Sequence, residues 1–565
     1  KKGDTNSVNE FFNSFKLYDF ESADWKNFTA PGGSFQTKAP ALFTIVDQEV
    51  RTDNSQRYLS HDIKNGFSFQ VYAEPINKYY WTENDSTLFA DLLTSYKTLD
   101  DTLVYSNKVI NGKAAGMEYG VMIGEERRNM KRLQMVTHND STYTLIFIAP
   151  EQYATSSMFD SFFKSFRFID FVKTTKHLED KTERILRDLL SSDTTTFQEA
   201  QAAINDVNFS VKHLPALHQA LLEPYSDFDE NTYCTHDMII RKIASLQDAS
   251  TISFVEKNYA SLTGDNERLK FPFLRLLANI KNDQSYRLLQ NLMIDHTPKS
   301  GKSSGLASAL LDSLSLTTSI FPHLLKGLEN KEVADVIAIV SNTLIDSNYI
   351  TISDLQLYKN ILLKQAESTI ATSTLKYDWV FYNWLLLLGK FNDLESNNLL
   401  KQVLKSNDLE NVFDATIVLL KNKQQVDATA IMRLAENNTY RLPIYLELEK
   451  LNNLKLFPSR FLNQKSLAES EMFRMASEYD NVEKIQFIGE RIGLLNGGKR
   501  KFYLFKVQFR GDEGAEEYLG IAGPYNFNGK KIEAESITAG FAPGIYNAKT
   551  IDSQFKKYLL SLEEE

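Results

Sequence analysis

One cysteine and eight histidines are the residues of this chain best suited to metal or nucleophilic chemistry, and only four of them cluster: His213, His218, Cys234 and His236. A helix that grips a metal places two histidines at i and i+4 so that both imidazoles share a face, but His213 and His218 are five apart. Cys234 and His236, two apart, could chelate only from a loop. Helix-surface histidines and a buried thiol account for the cluster without a zinc ion. A lone cysteine also forms no intramolecular disulfide and no multi-cysteine metal cage. Gly301-Lys302-Ser303 has the end of a phosphate-binding loop, but His296 stands where the first glycine is required and no strand precedes it. It reads as a helix–helix loop. Asp227-Phe228-Asp229-Glu230-Asn231 opens like a calcium loop, yet Thr232 occupies the glycine position and Met238 that of the bidentate glutamate. An acidic interhelical loop is the expected structure. Neither Gly-x-Ser-x-Gly nor His-Glu-x-x-His occurs. The 73 acidic residues offer many carboxylate pairs, none singled out by spacing. No catalytic, cofactor-binding or metal-binding residue is assigned, and no cofactor is expected.

Aromatic and basic groups are the remaining candidates for recognition. Trp379, Phe381, Tyr382 and Trp384 fall on one predicted helix, where they could line a ligand groove; packing into the core is the preferred reading. Arg127-Arg128 with Lys131-Arg132, and Lys499-Arg500-Lys501, are local basic spots without an aromatic platform for bases, and read as solvated turns. The formal net charge of −10 gives no global attraction for nucleic acid. The strongest apolar run, Trp384 to Leu388, is far short of the roughly 20 residues of a membrane helix.

The elements that must position these residues divide by glycine content. At about 100–200 residues per domain, 565 residues allow three to five domains. Residues 1–170 hold eight of the 24 glycines and residues 485–565 hold eleven, leaving five for the stretch between. Glycine costs a helix roughly 1 kcal/mol relative to alanine and serves turns between strands, so the ends should be strand-rich and the middle helical. In the middle, apolar residues recur at helical spacing, as in Leu274-Leu277-Ile280 and Leu399-Leu400-Val403-Leu404. Roughly sixteen helices fit between about 178 and 465, with start signals at Thr194–Thr196, Ser353-Asp354 and Asp427. Short polar connections such as Lys281-Asn282-Asp283 and Lys405–Asp408 predict an α-solenoid of HEAT-like helix pairs, with a non-repeating helical bundle as the alternative.

Strands are expected at Leu42–Val46, Gly66–Tyr72, Leu133–Val136 and Thr142–Ile148, the last two forming a hairpin around Asn139-Asp140-Ser141. Helices are expected at about Ser86–Lys97 and Ala154–Ser165, giving an α+β sheet domain. The tail offers strands at Lys484–Ile492, Lys501–Arg510, Glu516–Ala522 and Lys531–Ser536, a turn at Asn496-Gly497-Gly498, and a closing helix at Asp552–Leu560. It is predicted to be a small sandwich-like or barrel-like β-rich domain that caps the solenoid. The predicted organisation is a polar tether (1–22), an N-terminal α/β sandwich (23–172), the solenoid (176–468) and the β-rich domain (482–565).

The N-terminal residues resemble a known family. FTAPGGSFQTKAP (28–40) is similar to the opening strand of PsbP-like domains, VINGKAAGMEYGV (109–121) to their mid-domain strand, and FDSFFKSFRF (159–168) to their closing helix and strand. These motifs cover a quarter of the chain and form core. The resemblance implies a non-catalytic binding or assembly module. The wider layout, with ALLDSLSLTTSIFPHLLKGL (309–328), resembles the non-catalytic part of large bacterial TraB/GumN-family envelope proteins. That family's Gly-x-x-His is absent, since no histidine here has a glycine three residues before it. The architecture points to a non-enzymatic scaffold that binds other proteins through its solenoid, and the resemblances imply a place in the bacterial cell envelope, periplasmic or outer-membrane-associated. The alternatives are the accessory region of a TraB/GumN-like protease and an unrecognised hydrolase. The polar start is compatible with a tether whose lipid anchor lies upstream of Lys1, or with a domain boundary.

Overall fold

The computed structural model describes residues 25–46, 55–63, 65–125, 127–173, 175–227, 234–299, 303–372, 379–479, 481–495, 497–511, 514–527, 529, 531–534 and 539–564. The stretch 1–22 expected to be a tether lies outside them. The chain forms two compact units, Lys1–Asp248 and Ala249–Glu565.

In the first unit, strands β1 (Lys26–Thr29), β2 (Phe35–Ala39), β3 (Thr44–Ile45), β4 (Gln56–Asp62) and β5 (Phe67–Pro75) precede helix α1 (Asp85–Ser95). Strands β6 (Thr102–Asn111), β7 (Ala114–Met122), β8 (Asn129–His138) and β9 (Ser141–Pro150) follow, then α2 (Glu151–Ala154), α3 (Asp160–Ser165) and β10 (Arg167–Phe168). Seven strands form an antiparallel sheet in the order β3-β4-β5-β9-β8-β7-β6, and β1-β2-β10 form a smaller one. The two-residue period of a strand sends the large sheet's faces into different cores. Phe67, Phe69, Val71, Leu145 and Phe147 pack toward β2 and α3, where Phe69 stacks on Phe147 at 4.7 Å and Phe35 on Phe166 at 5.1 Å. Tyr119, Val121, Leu133, Met135 and Ile146 pack instead against Phe89 and Leu93 of α1.

The expected hairpin is present. His138 pairs with Ser141, and Asn139 (φ 45°) and Asp140 (φ 58°) are both left-handed, as a type I′ turn requires. Two segments read as single strands are hairpins. Residues 28–40 turn at Pro31-Gly32-Gly33, and residues 109–121 turn after Asn111, which pairs with Ala114 around Gly112 (φ 63°). Positive φ is what glycine supplies at such turns. The helix expected over 154–165 is broken into α2 and α3, because Ser156 caps a new turn by accepting from the Met158 N–H.

Among the described residues, four α-helices complete the first unit: α4 (Thr182–Asp188), α5 (Thr194–Asp206), α6 (Leu214–Ala220) and α7 (Thr235–Ser245). Polar side chains of the segment after β5 hold the first two: Tyr79 Oη donates to Asp188 Oδ2 of α4 at 3.0 Å and Lys78 pairs with Glu199 of α5, while His177 Nε2, ahead of α4, lies 2.6 Å from Asp85 Oδ1 of α1.

The second unit begins with α8 (Ala249–Tyr259), α9 (Lys270–Ile280), α10 (Asp283–Asp295), α11 (Ser304–Leu311), α12 (Leu314–Leu324) and α13 (Lys331–Asp346). Then come α14 (Lys359–Thr372), α15 (Trp379–Phe391), α16 (Leu394–Val403), α17 (Leu409–Lys421), α18 (Ala428–Glu436), α19 (Arg441–Lys450) and α20 (Gln464–Tyr479). Alternate helices stack: α9, α11, α13, α15 and α17 form one layer, while α8 with α10 and α12, and α14 with α16, build the other. This is the arrangement of stacked helix pairs predicted for the middle of the chain. The polar connections supply its caps. Asn282, Asp393 and Asp427 accept from Ser285, Ser396 and Thr429 N–H groups at 2.9, 3.0 and 2.8 Å.

Strands β11 (Val482–Leu495), β12 (Gly498–Gly511), β13 (Gly514–Asn526) and β14 (Ala539–Ile545) form one antiparallel sheet in sequence order, followed by α21 (Ile551–Glu564). The tail is therefore a single sheet between two helices rather than a sandwich of sheets or a barrel. Phe502, Leu504, Ile521 and Ala542 pack on Phe555 and Tyr558 of α21, and α20 lies against the same four strands. A Cβ at Gly520 would sit 2.6 Å from Met472 Sδ of α20, so glycine is what lets that helix approach. The segment expected as a strand at 531–536 is irregular over 531–534 and otherwise outside the described residues; the fourth strand is β14. Buried Arg441 at the start of α19 holds α20 by donating to the Ser466 carbonyl and Glu469 Oε2, both at 3.2 Å.

Candidate functional site

The His/Cys cluster is dispersed. His213 is buried, with Nε2 2.9 Å from Asp180 Oδ2 and Nδ1 accepting from the Ser210 N–H at 2.8 Å, so both ring nitrogens serve local structure. His218 is buried on α6, and its pKa is lowered because burial disfavours the charged ring. His236 is buried on α7, its ring edge-on to Tyr225 at 5.0 Å. The expectation of surface histidines is thus corrected: all three are buried. Cys234 is buried as expected, and burial pushes its thiol up to about 11. Among the described residues no group of three or more His, Cys, Asp and Glu is placed to hold a metal ion.

Asp227 belongs to a cap. Its Oδ2 accepts from the Thr235 N–H at 2.8 Å, the Thr235 hydroxyl at 3.0 Å and Gln201 at 2.6 Å. The rest of the calcium-like segment, residues 228–231, and Gly301-Lys302 lie outside the described residues; Ser303 is buried and His296 follows α10. Lys131 and Arg132 are not in a solvated turn. They lie on β8, Lys131 pairing with Asp101 at 2.9 Å and Arg132 with Glu118 at 3.1 Å and Asp160 at 2.7 Å. Arg132 also covers the Phe163 ring at 4.4 Å. Lys499, Arg500 and Lys501 open β12, where Lys501 pairs with Glu490 at 3.1 Å.

The aromatic helix α15 divides by face. Phe381 and Trp384 are core, Trp379 is exposed, and Tyr382 is half-buried. Tyr382 leads to a feature that spacing did not reveal. Helix α17 buries Val412, Ala415 and Leu419 and leaves Glu410, Phe413 and Asp414 half-covered. Its cap, Asp408, accepts from the Glu410 N–H at 2.9 Å. Asp414 is pushed up to about 7, first by burial and then by Glu410 and Asp408; its Oδ2 is buried without a hydrogen-bond partner. Tyr440 is pushed up to about 12 by burial and by the same three carboxylates, and its ring lies 5.8 Å from Phe413. The Tyr382 phenol is also raised, by burial and by Asp414. Three carboxylates and three aromatic rings therefore share one face of the α13–α15–α17 layer. None of the three carboxylates has an ion-pair partner among the described residues. Such a surface gains by receiving cations and flat apolar groups. The signal in the sequence is the acidic i, i+2 and i+6 run from Asp408 across a capped helix start, which only the helical register places on one side.

Among the described residues no helix is long and apolar enough to cross a membrane. Comparison with protein-family models and with curated proteins gives no match. Solved structures give distant, partial likenesses. The cyanobacterial PsbP (CyanoP) of Synechocystis sp. PCC 6803 is 12% identical over 28% of this chain and 99% of its own, with a TM-score of 0.22. A crystal structure from Bacteroides thetaiotaomicron VPI-5482 is 11% identical over 40% of this chain and 79% of its own, with a TM-score of 0.18. Lipovitellin is 10% identical over 88% of this chain and 55% of its own, with a TM-score of 0.18.

Proposed function

We propose that this chain is a non-enzymatic, protein-binding platform of the cell envelope, and that its helical array receives the partner on the face carrying Asp408, Glu410 and Asp414. The observation that carries the reading is the grouping of these carboxylates, without ion-pair partners among the described residues, beside Tyr382, Phe413 and Tyr440, where burial first and Glu410 and Asp408 second push Asp414 up to about 7. A partner offering lysine or arginine relieves that crowding and buries the rings. The sequence resemblance of the N-terminal segments to PsbP-like domains supports an assembly role and an envelope location. The three-part division, with borders near 172 and 482, belongs to the same reading.

The test is site-specific photo-crosslinking in native envelope from an aromatic crosslinker at position 413, in the otherwise unchanged chain and in the double variant Glu410→Gln/Asp414→Asn. A discrete protein partner is expected with the parent chain and lost in the double variant and in high salt. Equal capture by a folded double variant overturns the assignment of this face.

A further inference from the structure

The first unit carries a separate feature that this reading leaves unused: an open cleft of about 890 Å³ beside α1. Its floor includes Tyr72 and Glu74 of β5, its wall Asp91 and Tyr96 at α1, and Tyr80 and Asp206 complete it. Three carboxylates line the cleft, and no lysine, arginine or histidine does. Two of them are held in place by phenols. Tyr80 Oη donates to Asp91 Oδ2 at 2.7 Å, and Tyr96 Oη donates to Glu74 Oε2 at 3.1 Å. Each phenol occupies one oxygen, and the second oxygen of each carboxylate has no hydrogen-bond partner among the described residues. Burial raises both phenols, so they stay protonated and remain donors.

The ammonium groups near the cleft donate to backbone or to carboxylates outside its lining. Lys131 donates to the Tyr96 carbonyl at 3.0 Å and pairs with Asp101, and Lys242 donates to the Asn205 and Val207 carbonyls while its charge favours that of Asp206, leaving Glu74 and Asp91 without a cation among the described residues. Arg57 lies over the Tyr72 ring at 4.9 Å while donating to Gln70 Oε1 at 3.1 Å. That pair shows within the molecule that a ring of this cleft accepts a guanidinium on its face.

We propose that the cleft binds a lysine- or arginine-bearing polypeptide segment. The carboxylates receive the charged heads in charge-assisted hydrogen bonds, and the tyrosine rings cover the alkyl stems. Size selects a polypeptide over a small polyamine: the volume is near the upper end of the roughly 300–1,000 Å³ that holds a whole organic ligand, more than a single amine chain fills. This inference does not rest on the reading of the helical face.

The experiment titrates fluorescein-labelled hexa-arginine into the full chain at low salt, with hexa-glutamate and spermidine as competitors. Saturable binding is expected, weakened about tenfold or more in Glu74→Gln/Asp91→Asn. Asp206→Asn, at an exposed position, gives a smaller loss without touching the core. Undiminished binding in both cleft variants, or tighter binding of spermidine than of the peptide, overturns the proposal.

Discussion

The indole N–H of Trp384 donates to Asp335 Oδ1 at 2.7 Å, joining α15 to α13 within one layer of the helical array. A second bond joins the same helices, from Asn342 Nδ2 to the Asn383 carbonyl at 2.7 Å. Trp384 is 1% exposed, so its ring fills core while its one polar atom is satisfied. Replacing it by phenylalanine removes the donor and part of the ring. Trp384→Phe should lower the stability of the second unit by about 2–3 kcal/mol, read from the midpoint of urea unfolding by circular dichroism. A loss below about 0.5 kcal/mol would show that the two helices do not depend on this anchor.

Gly389 sits inside α15, where glycine costs about 1 kcal/mol relative to alanine. A Cβ there would lie 2.4 Å from Val418 Cγ1 of α17. Close approach of the two helices therefore outweighs helix propensity. Gly389→Ala should destabilise despite its better propensity, by about 1–3 kcal/mol, and Val418→Ala should partly restore it. A double-mutant cycle measures this. Additive losses would mean that Val418 is not what excludes the Cβ.

Cys234 caps the start of α7 and is 6% exposed, with its thiol raised to about 11 by burial. Thiolate is the reactive form, so little is present at pH 8. Native protein should resist iodoacetamide at pH 8 for hours and react at once in denaturant, as followed by intact mass. Rapid native alkylation would return Cys234 to the list of reactive residues.

These residues also show what the sequence made legible. Low glycine content and helical spacing located the array, and Asn139-Asp140 marked the β8–β9 hairpin of the N-terminal sheet, because period and turn chemistry are local. The breaks at Pro31-Gly32-Gly33 and Gly112 were also local, yet the flanking apolar residues masked them as continuous strands. The face formed by Tyr382, Asp414 and Tyr440 was not legible. Tyr382 and Asp414 are 32 positions apart, and only the stacking of α15 on α17 brings them together. The cleft depends in the same way on Glu74 meeting Tyr96. Lys131 and Arg132 looked solvated because their partners Asp101 and Asp160 are distant in sequence.

Asp414 gives the array a pH dependence whose sign follows from its raised pKa. The carboxyl ionises near 3.8 when unfolded and at about 7 when folded. Between these values the folded chain holds a proton that the unfolded chain has released. Stability from this group therefore falls as pH rises from about 4 to 7 and is flat beyond. Asp414→Asn keeps the size and removes the charge, so the slope disappears. After allowance for the partial exposure of the side chain, the variant should be more stable than the parent by about 1–2 kcal/mol at pH 8, with the gap closing toward pH 4. In thermal melts this is a rise of about 2–4 °C at pH 8. A gap that persists at pH 4 would assign the effect to packing, and no gap at pH 8 would show that neither burial nor Glu410 and Asp408 hold Asp414 above its ordinary range in solution.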